Sequence, residues 1–164
     1  FAVHFAVHFA AVHFAALLFV LSTETSAQKR SEVEWLTFEQ LYDSLQLKPK
    51  KVFIDFYADW CAPCKRMDEE VFSSDVVKKR LKKDYYAVKF DVESEDTVRF
   101  GNQVFINERL NRRNPVHQIA LLMARRKNRP FSLPAMVFLD QDFKAKARYF
   151  QYLNKEQFLE ILEN

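Results

Sequence analysis

Glycine is nearly absent, with Gly101 the single instance among 164 residues. Turns must therefore rely on Asn, Asp, Ser and Pro, and Asp140-Gln141-Asp142 reads as one. Cysteine is almost as scarce, since Cys61 and Cys64 are the only two. Two thiols cannot make a four-thiolate zinc site, and a mixed site would need two ligands from His4, His8, His13 and His117. Three of those histidines fall in an apolar stretch, where His13 would lie opposite His4 and His8 on a helix, so no metal or haem is expected. Strong net charge is missing as well: +3, with both signs interspersed, argues against a nucleic-acid partner.

What is present suits one domain with a single core. Apolar residues make up 49% and aromatics 15%, including 17 Phe, which rules out disorder for the body of the chain. Phe1 to Leu21 carries no charged residue and repeats Phe-Ala-Val-His at Phe1 and Phe5. An apolar helix over residues 1–21 fits either a membrane anchor or, with the small residues Thr25-Ser26-Ala27 before Gln28, a signal peptide. Residues 1–28 are thus a targeting or anchoring segment and residues 29–164 the folded domain, exported to the periplasm under the signal-peptide reading. Without a Cys after the apolar segment, a lipoprotein anchor is not expected.

The order of elements follows from period and punctuation. Val33 to Leu36 reads as a short strand, and Thr37-Phe38-Glu39-Gln40 as a capping box opening a helix to about Gln46. The apolar run Lys51 to Tyr57 reads as a buried strand, followed by a helix from the cysteines to about Val71 and another from Ser74 or Asp75 to about Lys82. Tyr85 to Val92 alternates as a strand. Thr97 to Leu110 is read as partly helical, and Asn114-Pro115 as the start of a helix to about Lys127, with His117 on its exposed surface. Phe131 to Leu139 and Lys144 to Tyr152 form a hairpin, and Asn154 caps a last helix. The pattern implies an α/β fold with a mixed sheet and helices on both faces.

Cys61-Ala62-Pro63-Cys64 sits at the strand-to-helix turn after Tyr57. Unpaired N–H groups and the positive dipole end of a helix start favour a thiolate at its first cysteine. A free thiol titrates near ~8.5, and in such loops the value falls to roughly 3.5–7. Cys61 is then nucleophilic at neutral pH, and Cys64, one turn on, can displace what Cys61 has attacked. A static disulfide is the bland alternative, but so short a loop constrains the unfolded chain little.

The element order, Phe53 through Lys65, Glu70-Val71-Phe72-Ser73 and Leu133-Pro134 together resemble the thioredoxin superfamily, and most of all the C-terminal thioredoxin-like domain of bacterial membrane thiol:disulfide interchange proteins. The resemblance runs from about Val33 to Asn164. It implies a thioredoxin-like fold, with Cys61 attacking and Cys64 resolving. Asp55 matches the buried acid that takes the proton of Cys64, and Lys89 the lysine facing that acid. Pro134 matches a cis-proline beside the disulfide. Trp60, Ala62, Pro63, Leu133 and Pro134 would line the substrate peptide. No cofactor beyond the Cys61–Cys64 couple is implied.

Three departures stand out. Ala135 follows the proline where threonine is common, and a residue with a side chain, near Gln151, takes the place of a groove glycine. About residues 100–131 form a basic insertion, expected to be helical, carrying Arg109, Arg112, Arg113, Arg125, Arg126, Lys127 and Arg129. These cations read either as a solvated helix face or as a docking surface for an envelope partner or anionic lipid. The leading functional expectation is a cell-envelope thiol–disulfide oxidoreductase that reduces or exchanges protein disulfides and is recharged by a membrane or thioredoxin-like electron donor. The alternative is a non-catalytic thioredoxin-fold scaffold subunit.

Overall fold

The computed structural model describes residues 32–163. The apolar segment, with its signal-peptide or anchor reading and His4, His8 and His13, lies outside them. Among the described residues no helix is long and apolar enough to cross a membrane.

The chain order is β1 (Trp35–Leu36), α1 (Phe38–Leu47), β2 (Lys51–Tyr57), α2 (Ala62–Met67), α3 (Asp75–Asp84), β3 (Tyr85–Asp91), β4 (Val98–Phe100), β5 (Gln103–Phe105), α4 (Gln118–Ala124), β6 (Ala135–Leu139), β7 (Ala145–Tyr149) and α5 (Lys155–Glu163). A π-helical stretch, Asp68–Phe72, continues α2. The main sheet runs β1-β3-β2-β6-β7, parallel across β1, β3 and β2 and antiparallel across β6 and β7.

Two helical layers cover this sheet, and the alternation of β2 assigns its side chains to them. Val52, Ile54 and Phe56 pack with Phe38 and Leu41 of α1 and with Ile119, Ala120 and Met123 of α4. Phe53 points the other way, into Met67, Val71, Val77, Leu81, Phe158 and Leu162 from the α2, α3 and α5 layer. Asp55 shares the parity of Phe53 and so faces the layer that carries the cysteines.

The segment read as a helical insertion is different. Val98 to Phe105 is a two-stranded hairpin closed by Gly101, at φ +61°, and Asn102. Only glycine takes that φ without cost, and a Gly-Asn pair between alternating apolar residues selects a hairpin over a helix. The helix expected from Asn114 begins at Gln118 and ends at Ala124. Its start is set by tertiary contact, because His117 N–H donates to Val92 O at 2.8 Å and fixes the chain before it to the end of β3. The basic residues stand in the loops on either side of α4, not along a helix face. His117 is buried rather than exposed: Nδ1 accepts the Ile119 N–H at 3.2 Å and caps α4, while Nε2 meets Asp96 O at 3.0 Å.

Candidate active site

Cys61 is the N-cap of α2, in extended backbone after β2, with its N–H donated to Ala58 O at 2.9 Å. Pro63 in the first helical turn suits that start, since its missing N–H would have no partner there. Cys61 and Cys64 form a disulfide with Cα atoms 5.3 Å apart, and both are buried. The Cys64 N–H points at Cys61 Sγ, 3.2 Å away, so the backbone aims a donor at that sulfur.

Asp55 is 1% exposed, and its Oδ1 is buried without a hydrogen-bond partner. Desolvation pushes its carboxyl up to about 7, Lys89 pulls it down and Asp68 pushes it up. Lys89 stands opposite Asp55 in the β2–β3 register, but its ammonium bonds to Asp68. The Lys89 ammonium is also 4.8 Å from the centre of the Tyr57 ring and 5.6 Å from that of Trp35. The charged neighbourhood of the buried acid is therefore a trio of Asp55, Lys89 and Asp68. Asp68 was not among the residues picked from sequence. Its signal was its spacing, four residues after Cys64 and seven after Cys61, which places all three on one helix face.

Trp60 is 65% exposed beside the disulfide, and its indole N–H donates to Glu93 at 2.9 Å. Glu93 is a second residue that sequence reasoning missed, and nothing in local spacing marks a contact across 33 positions. Ala62 and Pro63 are exposed in front of the disulfide. The Leu133–Pro134 peptide is cis. Pro134 is buried and directly precedes β6, whose Ala135 pairs with Phe56, so the proline lies level with the end of β2 that leads to the cysteines. Leu133 is half-buried and joins Trp60 in lining a cleft of about 280 Å3. Gln151 lies in an exposed bend after β7. Among the described residues no group of three or more His, Cys, Asp and Glu could hold a metal.

This geometry can be set against known proteins. The family described as thioredoxin-like domain matches residues 38–164. The thiol:disulfide interchange protein DsbD of Yersinia enterocolitica is 29% identical over 148 residues, covering 85% of this chain and 22% of that protein. The chain thus spans about a fifth of that relative's length. Among solved structures, a thioredoxin from Thermus thermophilus superposes with a TM-score of 0.57 at 17% identity, over 81% of this chain and 86% of the other. A structure described as DsbH oxidoreductase superposes with a TM-score of 0.55 at 17% identity, over 87% and 90%. These two likenesses establish a shared fold. A cysteine pair at the start of a helix on a mixed sheet, over a span matched from residue 38 to residue 164, places the chain in the thioredoxin-like domain family.

Proposed function

We propose that the chain is a thiol–disulfide oxidoreductase of the cell envelope that reduces or exchanges disulfides in protein substrates through Cys61 and Cys64. The observation carrying this reading is the cysteine pair at a helix N-terminus on the sheet face shared with a buried carboxyl whose pKa is raised to about 7. A general base works best when its pKa lies near the working pH. In the dithiol form, the Cys61 thiolate attacks a substrate disulfide, forming a mixed disulfide and expelling one substrate thiolate. Cys64 then gives its proton to Asp55 and attacks Cys61 Sγ, which releases the second substrate thiolate and leaves the Cys61–Cys64 disulfide. Two electrons pass to the substrate, and a membrane or thioredoxin-like dithiol donor restores the pair. No further cofactor enters this cycle.

In this reading Trp60, Ala62, Pro63, Leu133 and Pro134 form the surface that meets substrate peptide. Support for export is the uncharged apolar segment at residues 1–21 followed by small residues.

The reduction potential of the Cys61–Cys64 couple, measured on the full chain against glutathione and dithiothreitol, tests the reading. A value near the roughly −270 mV of thioredoxin fits a reductase, and one near −120 mV an oxidant that installs disulfides. If no reversible couple is found, the chain is a scaffold instead.

A further inference from the structure

The basic insertion helps to line a cleft that reaches the residue next to Cys61: Arg109, Pro115 and Phe131 share it with Trp60 and Leu133. Lining residues from both parts of the chain are tied to the stretch that follows β3. Glu93 in that stretch holds the Trp60 indole, while Ser94 O accepts from Asn107 Nδ2 at 3.2 Å and Asp96 O meets His117 Nε2 at 3.0 Å. Asn107 is buried, and its Oδ1 accepts the Arg109 N–H at 3.1 Å. The loop bearing Arg109 is thus fixed relative to Trp60, and the cleft is a built feature.

Its charge is as particular as its shape. Residues 99–129 contain eight Lys and Arg and one acid, a net +7, against −4 for the remainder of the chain. Arg109, Arg112, Arg113, Arg125, Lys127 and Arg129 make no ion pair among the described residues. Arg109 is the one cation that lines the cleft, and its one acid, Glu93, is engaged by Trp60. Cations left unpaired beside an apolar slot complement an apolar side chain next to a carboxylate.

We propose that this cleft reads the polypeptide flanking the substrate cysteine, seating an apolar side chain between Trp60 and Phe131 and a carboxylate against Arg109. The substrate class is then a disulfide-bearing protein with acidic, apolar sequence around its cysteine. This rests on the exchange reading above.

The test uses the full chain reduced with dithiothreitol, freed of reductant and mixed with two peptide disulfides. In one peptide the cysteine is flanked by Leu and Asp, in the other by Leu and Lys. Each turnover converts one peptide disulfide to two thiols and the Cys61–Cys64 dithiol to its disulfide. The acidic peptide should react about fivefold faster at low salt, as expected for one exposed ion pair, with the ratio falling toward one in 0.5 M salt. Arg109→Glu should invert the preference. Equal rates for the two peptides, or a preference that survives Arg109→Glu, overturns the assignment. So does an absent preference combined with arginine-dependent pelleting on phosphatidylglycerol vesicles, which would assign the cations to lipid. Hydroxyethyl disulfide, uncharged and too small to fill the cleft, separates the two readings: if it is not reduced, the exchange reading itself fails.

Discussion

At the scale of single residues, Asp55 is where chemistry and stability conflict. Its carboxyl ionises near 3.8 when exposed and near 7 in the fold, so between these values the native state holds a proton that the unfolded chain has released. Stability must therefore fall as pH rises through that window, at no more than about 1.4 kcal/mol per pH unit, and level off above it. Asp55→Asn should flatten this dependence in thermal unfolding from pH 4 to 8 and slow the resolution of a mixed disulfide at Cys61; unchanged resolution would remove Asp55 from the proton path. Its neighbours pull in opposite directions. Asp68→Asn should move the pH profile of resolution to lower pH and Lys89→Met to higher pH, since Asp68 raises and Lys89 lowers the Asp55 pKa. The cysteine pair was legible in sequence because an apolar strand running into Cys-x-x-Cys is a local pattern, whereas Asp55 was marked by the family resemblance. Asp68 needed the helical period, and Glu93 needed the fold.

At the scale of elements, His117 decides where α4 begins. Burial lowers its pKa, and the ring has one nitrogen accepting from Ile119 and the other meeting Asp96 O. The native state then binds fewer protons than the unfolded chain below pH 6.5, and stability from this group falls as pH drops from there through the folded value, the reverse of Asp55. His117→Ala should cost about 1–2 kcal/mol at pH 7.5, as for a lost helix cap, and remove that acid-side decline. The β4–β5 hairpin depends on Gly101. A Cβ there would meet only Tyr42 Cε2 at 3.8 Å, so Gly101→Ala should cost only the backbone penalty, about 1 kcal/mol by denaturant titration. The hairpin was misread as helix because its Gly101-Asn102 turn signal was passed over, and the start of α4 was placed too early because residues 114–117 are held by the contact with Val92 rather than by their own period.

At the scale of the whole molecule, the sheet keeps two cores apart, and the insertion is part of one of them. Ile119, Ala120, Met123 and Ala124 are buried against β2 and β6, so removing residues 100–131 should unfold the domain rather than trim a surface loop. Ile119→Ala should cost about 2–5 kcal/mol and Phe158→Ala, in the opposite core, about 3–5 kcal/mol, with the two losses additive because the sheet separates them. Strong coupling in the double variant would refute two separate cores. By itself the sequence determined the thioredoxin-like strand and helix order, the mixed sheet and the position of the cysteine pair, because apolar period, caps and turns act over a few residues. Only the tertiary structure decided the burial of His117, the Asp68–Lys89 pair and the place of Arg109 in the cleft. Each of these arises where residues distant in the chain meet, and no local pattern encodes such a meeting.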